Sequence, residues 1–117
     1  MTDTSRIDVL ATLDAALAKR RTADPDKSYT AALYAGGTPV ITDKITEEAA
    51  EVVEAADDAD TAHLVHEVAD LWFHCMVLLQ SRGLDAQAVQ TELARRFGVS
   101  GHAEKASRTE ANSASSD

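Results

Sequence analysis

The sequence predicts an all-α fold, a helical bundle of about four to five helices. Apolar residues recur at three- and four-residue spacing along most of the chain, and no segment reads as a convincing strand. A length of 117 residues suits one domain with one core. Only 4% of the residues are aromatic, so aliphatic residues and alanine must fill most of that core.

The first helices are marked by apolar spacing and by residues that begin or end helices. Apolar residues at helical spacing predict a first helix over about residues 5–21. The polar stretch 22–27 contains a proline and is typical of a loop. Ser28 is suited to cap a short helix, which the Gly36-Gly37 pair would end.

Two longer helices follow this glycine pair. Thr38-Pro39 supplies a capping hydroxyl and a first-turn proline, so a helix is predicted from there to about residue 57. Asp60 is the expected cap of the next helix, over about residues 61–82, and Gly83 lies just past its end.

The last part of the chain contains a short helix and a polar tail. Asp85 would cap this helix, which ends near Phe97. Residues 98–108 are polar and contain glycines, and residues 109–117 are rich in serine and alanine, as disordered tails are. The prediction is therefore one domain over residues 1–108, followed by a disordered tail.

The helix predicted over residues 61–82 becomes apolar on nearly every side in its second half. Its apolar residues there are Leu71, Trp72, Phe73, Met76, Val77, Leu78 and Leu79. A helix that is apolar all round must be buried all round. Because a small bundle with short outer helices can hardly provide that burial, we predict an intertwined homodimer that packs this helix centrally.

The composition excludes several classes of partner. A net charge of −9 argues against nucleic acid and anionic membranes, since both require a basic surface. The first residues lack the apolar stretch of a signal peptide, and the longest apolar run, residues 71–79, is too short to span a bilayer. We therefore expect a cytoplasmic protein. Cys75 lies in that run and is interpreted as a buried apolar residue, not as a catalytic thiol.

Two acidic clusters carry the main functional signal. The first contains Glu47, Glu48 and Glu51, and the second contains Glu67 and Asp70. Carboxylates three or four residues apart share a helix face at about 5–6 Å, and they repel unless a cation or a proton compensates them. Antiparallel packing of the two consecutive helices would place Glu48 and Glu51 opposite Glu67 and Asp70.

Four carboxylates on facing helices would suit a hard divalent cation, with Mg²⁺ as the default. The alternative is a solvated acidic helix face with no ligand. Zinc or iron is disfavoured, because the chain lacks both the Glu-x-x-His pairs of di-iron bundles and the His-Glu-x-x-His pattern of zinc proteases. His74 is expected to be a hydrogen-bonded residue at the edge of the core.

The few basic residues are candidates for contacts with substrate phosphates. They are Lys44, Arg95, Arg96, Lys105 and Arg108. The alternative is that they serve helix capping and solubility.

Four stretches together resemble the phosphoribosyl-ATP pyrophosphohydrolases of histidine biosynthesis, within the all-α nucleoside triphosphate pyrophosphatase (MazG-like) superfamily. These stretches are Ser28-Tyr29-Thr30-Ala31, Glu47-Glu48-Ala49-Ala50-Glu51-Val52-Val53, Glu67-Val68-Ala69-Asp70-Leu71-Trp72-Phe73-His74, and Arg96-Phe97-Gly98-Val99-Ser100-Gly101-His102-Ala103-Glu104-Lys105-Ala106-Ser107-Arg108. The acidic motifs alone indicate only the superfamily, whereas the first and last stretches narrow the resemblance to this family.

The resemblance implies Mg²⁺-dependent hydrolysis of the α–β phosphoanhydride of phosphoribosyl-ATP to phosphoribosyl-AMP and pyrophosphate. It also implies metal ligands at the positions of Glu48, Glu51, Glu67 and Asp70. By the same resemblance Glu47 is a candidate for activating water, a role that Glu51 shares in our interpretation, and Lys44 matches a common lysine.

Two positions depart from the family pattern, since Gly36 stands where relatives often carry lysine and Thr46 where many carry glycine. Two other functions remain open from the sequence. One is a house-cleaning pyrophosphatase for non-standard nucleotides, which would use the same metal site. The other is a non-enzymatic helical dimerisation module, although a pure interface has no use for unpaired carboxylates.

Overall fold

The structure is a computed structural model that describes residues 8–98, and within this range it contains four helices and no strand. The helices are α1 (Val9–Arg20), α2 (Tyr29–Ala55), α3 (Thr61–Ser81) and α4 (Ala86–Phe97). The all-α prediction is therefore confirmed. α1, α2 and α3 belong to one compact unit and α4 to a second. Lys105, Arg108 and the predicted tail over residues 109–117 lie outside the described residues.

Side-chain caps set the starts of the first three helices. The carboxylate of Asp8 accepts a hydrogen bond from the backbone N–H of Ala11 (3.0 Å), so α1 begins at Val9 and not near residue 5 as predicted. The predicted caps Ser28 and Asp60 are confirmed. Each accepts a hydrogen bond from a first-turn N–H of its own helix, at 3.1 Å and 3.0 Å.

Helix α2 consists of two helical segments that meet at Gly37. Gly37 has φ 80° and ψ −175°, a backbone conformation that is essentially restricted to glycine. Pro39 then occupies the first turn of the second segment, where its missing N–H costs nothing. The predicted end and restart of the helix are both observed. Because of the break, the two segments do not share one continuous helix.

A close neighbour leaves little room for a side chain at Gly36. A Cβ atom at this position would lie 2.7 Å from Cγ2 of Val40, so the lysine expected from the resemblance would force Val40 to move. Thr46, the other departure, is accommodated locally, because its hydroxyl donates to the carbonyl of Thr42 one turn earlier (3.1 Å).

The core lies mainly between α2 and α3, which have the most extensive contact in the fold. Ile41 on α2 and Val77 on α3 are fully buried. Helix α1 adds Leu17 to the core. The backbone carbonyl of Leu17 accepts a hydrogen bond from the hydroxyl of Tyr34 (3.0 Å). This packing fixes the α2–α3 pair on which the acidic residues lie.

Helix α3 ends in a Schellman motif. The backbone N–H of Gly83 bonds to the carbonyl of Gln80 (3.0 Å), and the N–H of Leu84 bonds to the carbonyl of Leu79 (2.8 Å). Gly83 has φ 75°, as the glycine after a helix should in this motif. The sequence-based prediction of Gly83 as the stop signal is therefore confirmed.

Part of the apolar surface of α3 stays exposed in the single chain. Met76 and Val77 are buried, but Trp72 is 57% exposed and Val65 is 67% exposed. Cys75 is half-buried, and burial raises the pKa of its thiol, which disfavours the reactive thiolate. Among the helices described, none has both the length and the apolar composition needed to cross a membrane.

Gly37→Ala should destabilise the protein by about 1–3 kcal/mol, because alanine is strained in the backbone conformation that joins the two segments of α2. The measurement is the free energy of unfolding in urea at fixed protein concentration. Gly83→Asn is the matched control. Asparagine tolerates the left-handed helical conformation of a Schellman motif, so the loss should be smaller there. Equal losses at the two positions would contradict the assignment of Gly37 as the strained break.

Candidate metal centre

Acidic side chains from α2 and α3 meet in one cluster. Glu48, Glu51 and Glu67 each place a carboxylate oxygen within 4.8 Å of the others. An overlapping group joins Glu67 to Asp70 and His66 within the same distance. The structure therefore places three of the four predicted ligands in one group, and the fourth, Asp70, in a second group that shares Glu67.

Two oxygen atoms in this cluster are buried without a partner. Within the described residues, Oε2 of Glu48 and Oε1 of Glu67 have no hydrogen-bond donor. Glu67 as a whole is only 9% exposed. An unpartnered buried carboxylate oxygen is costly in free energy, so these two atoms mark a place where a cation would relieve the cost.

The electrostatic strain shows most clearly at Glu48. Burial raises the pKa of Glu48 from 4.5 to about 7, with further contributions from a hydrogen bond to Glu51 and from the charges of Glu51, Asp70 and Glu67. At neutral pH a proton therefore partly compensates the cluster. A divalent cation would do the same with two charges.

The donor set fits a hard divalent cation. Glu48, Glu51 and Glu67 offer oxygen atoms only, which Mg²⁺ and Mn²⁺ prefer. Glu51 and Glu67 also line a cleft of about 200 Å³, together with Glu54 and His63. The cluster therefore lies beside open space, as a site that shares its cation with a substrate requires.

His63 connects the cluster to the loop before α3. Its Nδ1 lies 2.7 Å from Oδ2 of Asp58, and its Nε2 lies 3.1 Å from Oε2 of Glu67. Ionised carboxylates only accept hydrogen bonds, so the ring donates to both when both are ionised. The hydrogen bond with Asp58 is the main cause of a raised pKa at His63, although burial opposes it. The other histidine near the cluster, His66, is 3.3 Å from Asp70 at an exposed position.

His74 belongs to neither group of clustered ligand atoms. Its Nδ1 donates to the backbone carbonyl of Asp70 (2.8 Å), so in the neutral ring Nε2 accepts from the hydroxyl of Tyr29 (2.8 Å). The rings of Tyr29 and Phe73 lie 5.9 Å and 5.1 Å from the His74 ring, centroid to centroid. The prediction that His74 is a hydrogen-bonded residue at the core edge is confirmed.

The predicted catalytic residue Glu47 lies on the exposed side of α2. Its side chain is 60% exposed, and Oε1 lies 3.7 Å from Nζ of Lys44. Glu47 belongs to neither group of clustered ligands. Glu51 has the better position for chemistry at the cleft, because its side chain lines it.

Two of the predicted phosphate-binding residues lie in the α4 unit and bind a carboxylate there. Arg95 and Arg96 each donate to Glu92 at 2.9 Å. The hydrogen bond from Arg95, followed by that from Arg96, lowers the pKa of Glu92 to about 2. Both contacts are exposed ion pairs within α4.

The sequence places His63 on the same helix stripe as Glu67 and Asp70, and pairing among these polar groups was the alternative to a metal site; the contact of His63 with Asp58 was not predicted. The spacing of four residues between His63 and Glu67, and between His66 and Asp70, was a usable signal for side-chain contact on one helix face. Asp58 gave no such signal, because its approach to His63 depends on the conformation of the loop before α3.

Comparisons with known proteins identify the family of this chain. The family model for phosphoribosyl-ATP pyrophosphohydrolase matches residues 10–97. The chain is 55% identical over 102 residues to the phosphoribosyl-ATP pyrophosphatase of Azoarcus sp. (strain BH72), which covers 87% of this chain and 95% of the relative. It is also 54% identical over 103 residues to that of Aromatoleum aromaticum, with 88% and 95% covered. The Neisseria gonorrhoeae relative is 51% identical over 102 residues, with 87% and 95% covered. The chain belongs to the phosphoribosyl-ATP pyrophosphohydrolase family.

Proposed function

We propose that this chain hydrolyses the α–β phosphoanhydride of phosphoribosyl-ATP to phosphoribosyl-AMP and pyrophosphate, in a Mg²⁺-dependent reaction of cytoplasmic histidine biosynthesis. One observation carries the proposal. In a chain that belongs to this family, carboxylates of α2 and α3 converge, and two of their buried oxygens have no partner among the described residues.

Four residues would hold the cation: Glu48 and Glu51 from α2, and Glu67 and Asp70 from α3. A bound Mg²⁺ would neutralise negative charge on the phosphates and on the pyrophosphate leaving group. A bound cation would also explain how an acidic chain can bind an acidic substrate. A protein with a net charge of −9 can bind a polyphosphate where a cation inverts the local charge.

Glu51 and Glu47 are the proposed residues for orienting the attacking water. Glu51 lines the cleft, and its carboxylate lies within 4.8 Å of ligand atoms on both helices. Glu47 is mainly exposed and would act from the rim. The proposed contacts to substrate phosphates are Lys44, Arg95, Arg96, Lys105 and Arg108.

A homodimer is part of the proposal. Val65 and Trp72 are seven residues apart on α3, so they share one helix face, and both are more than half exposed. Val53 on α2 adds a third exposed apolar side chain, at 73%. A second copy of the chain would cover this surface, as the all-round apolar character of α3 predicts.

Pyrophosphate release from phosphoribosyl-ATP should require Mg²⁺ and should stop in EDTA. Glu67→Gln should lower kcat/KM by more than about 100-fold, because the loss of a metal ligand exceeds the usual cost of losing its outer partner. Asp43→Asn, which removes an exposed carboxylate from the same helix as Glu48, is the control and should stay near the wild-type rate. Equal rates with Mg²⁺ and EDTA would overturn the proposal. Faster turnover of other nucleoside triphosphates would favour the house-cleaning alternative.

Protons should compete with the cation at Glu48. In the cation-free protein the pKa of Glu48 is raised from 4.5 to about 7, so its contribution to stability is complete below pH 4.5 and is lost as the pH rises through 7. Mg²⁺ should therefore raise the melting temperature more at pH 8 than at pH 5.5. Its affinity should fall by up to about tenfold for each pH unit below 7. Thermal unfolding with and without Mg²⁺ tests this, and Glu48→Gln should flatten the pH dependence. A shift that is independent of pH in the wild type would contradict it.

Trp72→Glu should convert a dimer into a monomer, because it places a charge in the proposed apolar contact. Light scattering measures this change directly, as a mass near 12.5 kDa against about twice that value for the wild type. Val9→Glu, which changes a 67% exposed apolar residue on α1, should leave the mass unchanged. A wild-type mass of one chain would refute the homodimer.

A further inference from the structure

We propose that His63 is a positioning residue that holds the carboxylate of Glu67 in the orientation needed to bind the cation. The inference rests on the proposed function, because it assigns a role toward the same cation. The structure places His63 between two carboxylates, one in the loop before α3 and one in the acidic cluster.

The two oxygens of Glu67 have different surroundings. Oε2 accepts a hydrogen bond from Nε2 of His63 at 3.1 Å, while Oε1 is buried and has no donor within the described residues. The hydrogen bond thus occupies one oxygen and leaves the other, buried oxygen to bind the cation. Protein carboxylates that bind metals usually carry such an outer hydrogen bond, which fixes their orientation.

Asp58 fixes the other side of the ring. Its Oδ2 lies 2.7 Å from Nδ1 of His63, and its Oδ1 accepts from the backbone N–H of Asp60 at 2.8 Å. Asp60 in turn caps α3. The ring is therefore anchored to the start of the same helix that carries Glu67, one turn further on.

The alternative is that His63 only stabilises the loop before α3. Its side chain is 43% exposed, and exposed ion pairs contribute little to stability. The two roles use different ring nitrogens: Nε2 faces Glu67, and Nδ1 faces Asp58. Substitutions that keep a donor at only one of these positions can therefore separate the roles.

If His63 acted on the cation only through its charge, its substitution would change cation binding in the opposite direction. A ring that donates to two ionised carboxylates is cationic, and a cation close to the cluster repels another cation. If only charge mattered, every neutral substitution of His63 would strengthen cation binding. A positioning role predicts weaker binding whenever the contact with Glu67 is lost.

The test compares His63→Gln, His63→Asn and His63→Ala in the full chain, with Mn²⁺ as a spectroscopic probe in the absence of substrate. The amide nitrogen of glutamine reaches the position of Nε2, and that of asparagine reaches the position of Nδ1. We expect the Kd for Mn²⁺ to rise about 10- to 100-fold in the asparagine and alanine variants, and to stay within about threefold of wild type in the glutamine variant. The Mg²⁺ concentration for half-maximal activity should follow the same order, with a smaller change in kcat at saturating Mg²⁺.

His66→Asn is the comparison variant, because the pair of His66 with Asp70 lies on the same helix but is longer and more exposed than the pair of His63 with Glu67, so water weakens it more. Its effect on the Kd should be smaller than that of His63→Asn. The proposal is overturned if His63→Asn binds Mn²⁺ like the wild type, if all three variants bind more tightly, or if His66→Asn weakens binding equally. Wild-type protein that binds no Mn²⁺ would overturn this role and the proposed cation site together. Normal Mn²⁺ binding with the expected order, but without phosphoribosyl-ATP hydrolysis, would refute only the proposed function.

Discussion

Carboxylates of Glu48, Glu51 and Glu67 are held within 4.8 Å of one another, although like charges at this distance repel. The apolar packing between α2 and α3, centred on residues such as Ile41 and Val77, holds them there. The folded chain therefore keeps an unfavourable repulsion among these carboxylates. A proton on Glu48 relieves part of it, and a divalent cation would relieve more. The other features of the site follow from this balance between packing and repulsion.

The break at Gly37 allows α2 to serve two different parts of the structure. The segment before the break begins with Tyr29, whose hydroxyl reaches His74 on α3 across 45 residues of sequence. The segment after it carries Glu48 and Glu51. Because His74 also donates to the backbone carbonyl of Asp70, the first segment of α2 is linked to the backbone of a proposed ligand. In a single straight helix the two segments would share one axis, so neither could be oriented independently of the other.

Much of this arrangement was predictable from the sequence, because the relevant signals are local. Ser28 and Asp60 are capping residues before apolar periodic segments, and Gly83 follows the end of one. The facing of the two acidic clusters followed from helical spacing and a short connection. The start of α1 was misplaced, since Asp8 is itself the cap and competes with an apolar pattern that extends further back.

Other contacts were not predicted. Arg95 and Arg96 have a single carboxylate within one turn, Glu92, and both bind it, so helical spacing made this pairing available from the sequence. The bond between His63 and Asp58 needs the exact path of a loop, for which no residue pattern is specific. The homodimer and the individual site roles remain predictions, because they concern molecules other than the single chain.

Trp72 is the single tryptophan of the chain and is 57% exposed on α3. Because Trp72 lies among the exposed apolar residues of α3, its fluorescence responds to changes at that surface. Tryptophan emission shifts to shorter wavelength when water leaves the indole ring. The fluorescence of the unmodified chain therefore reports the hydration of one known surface, without a label and without a contribution from a second indole.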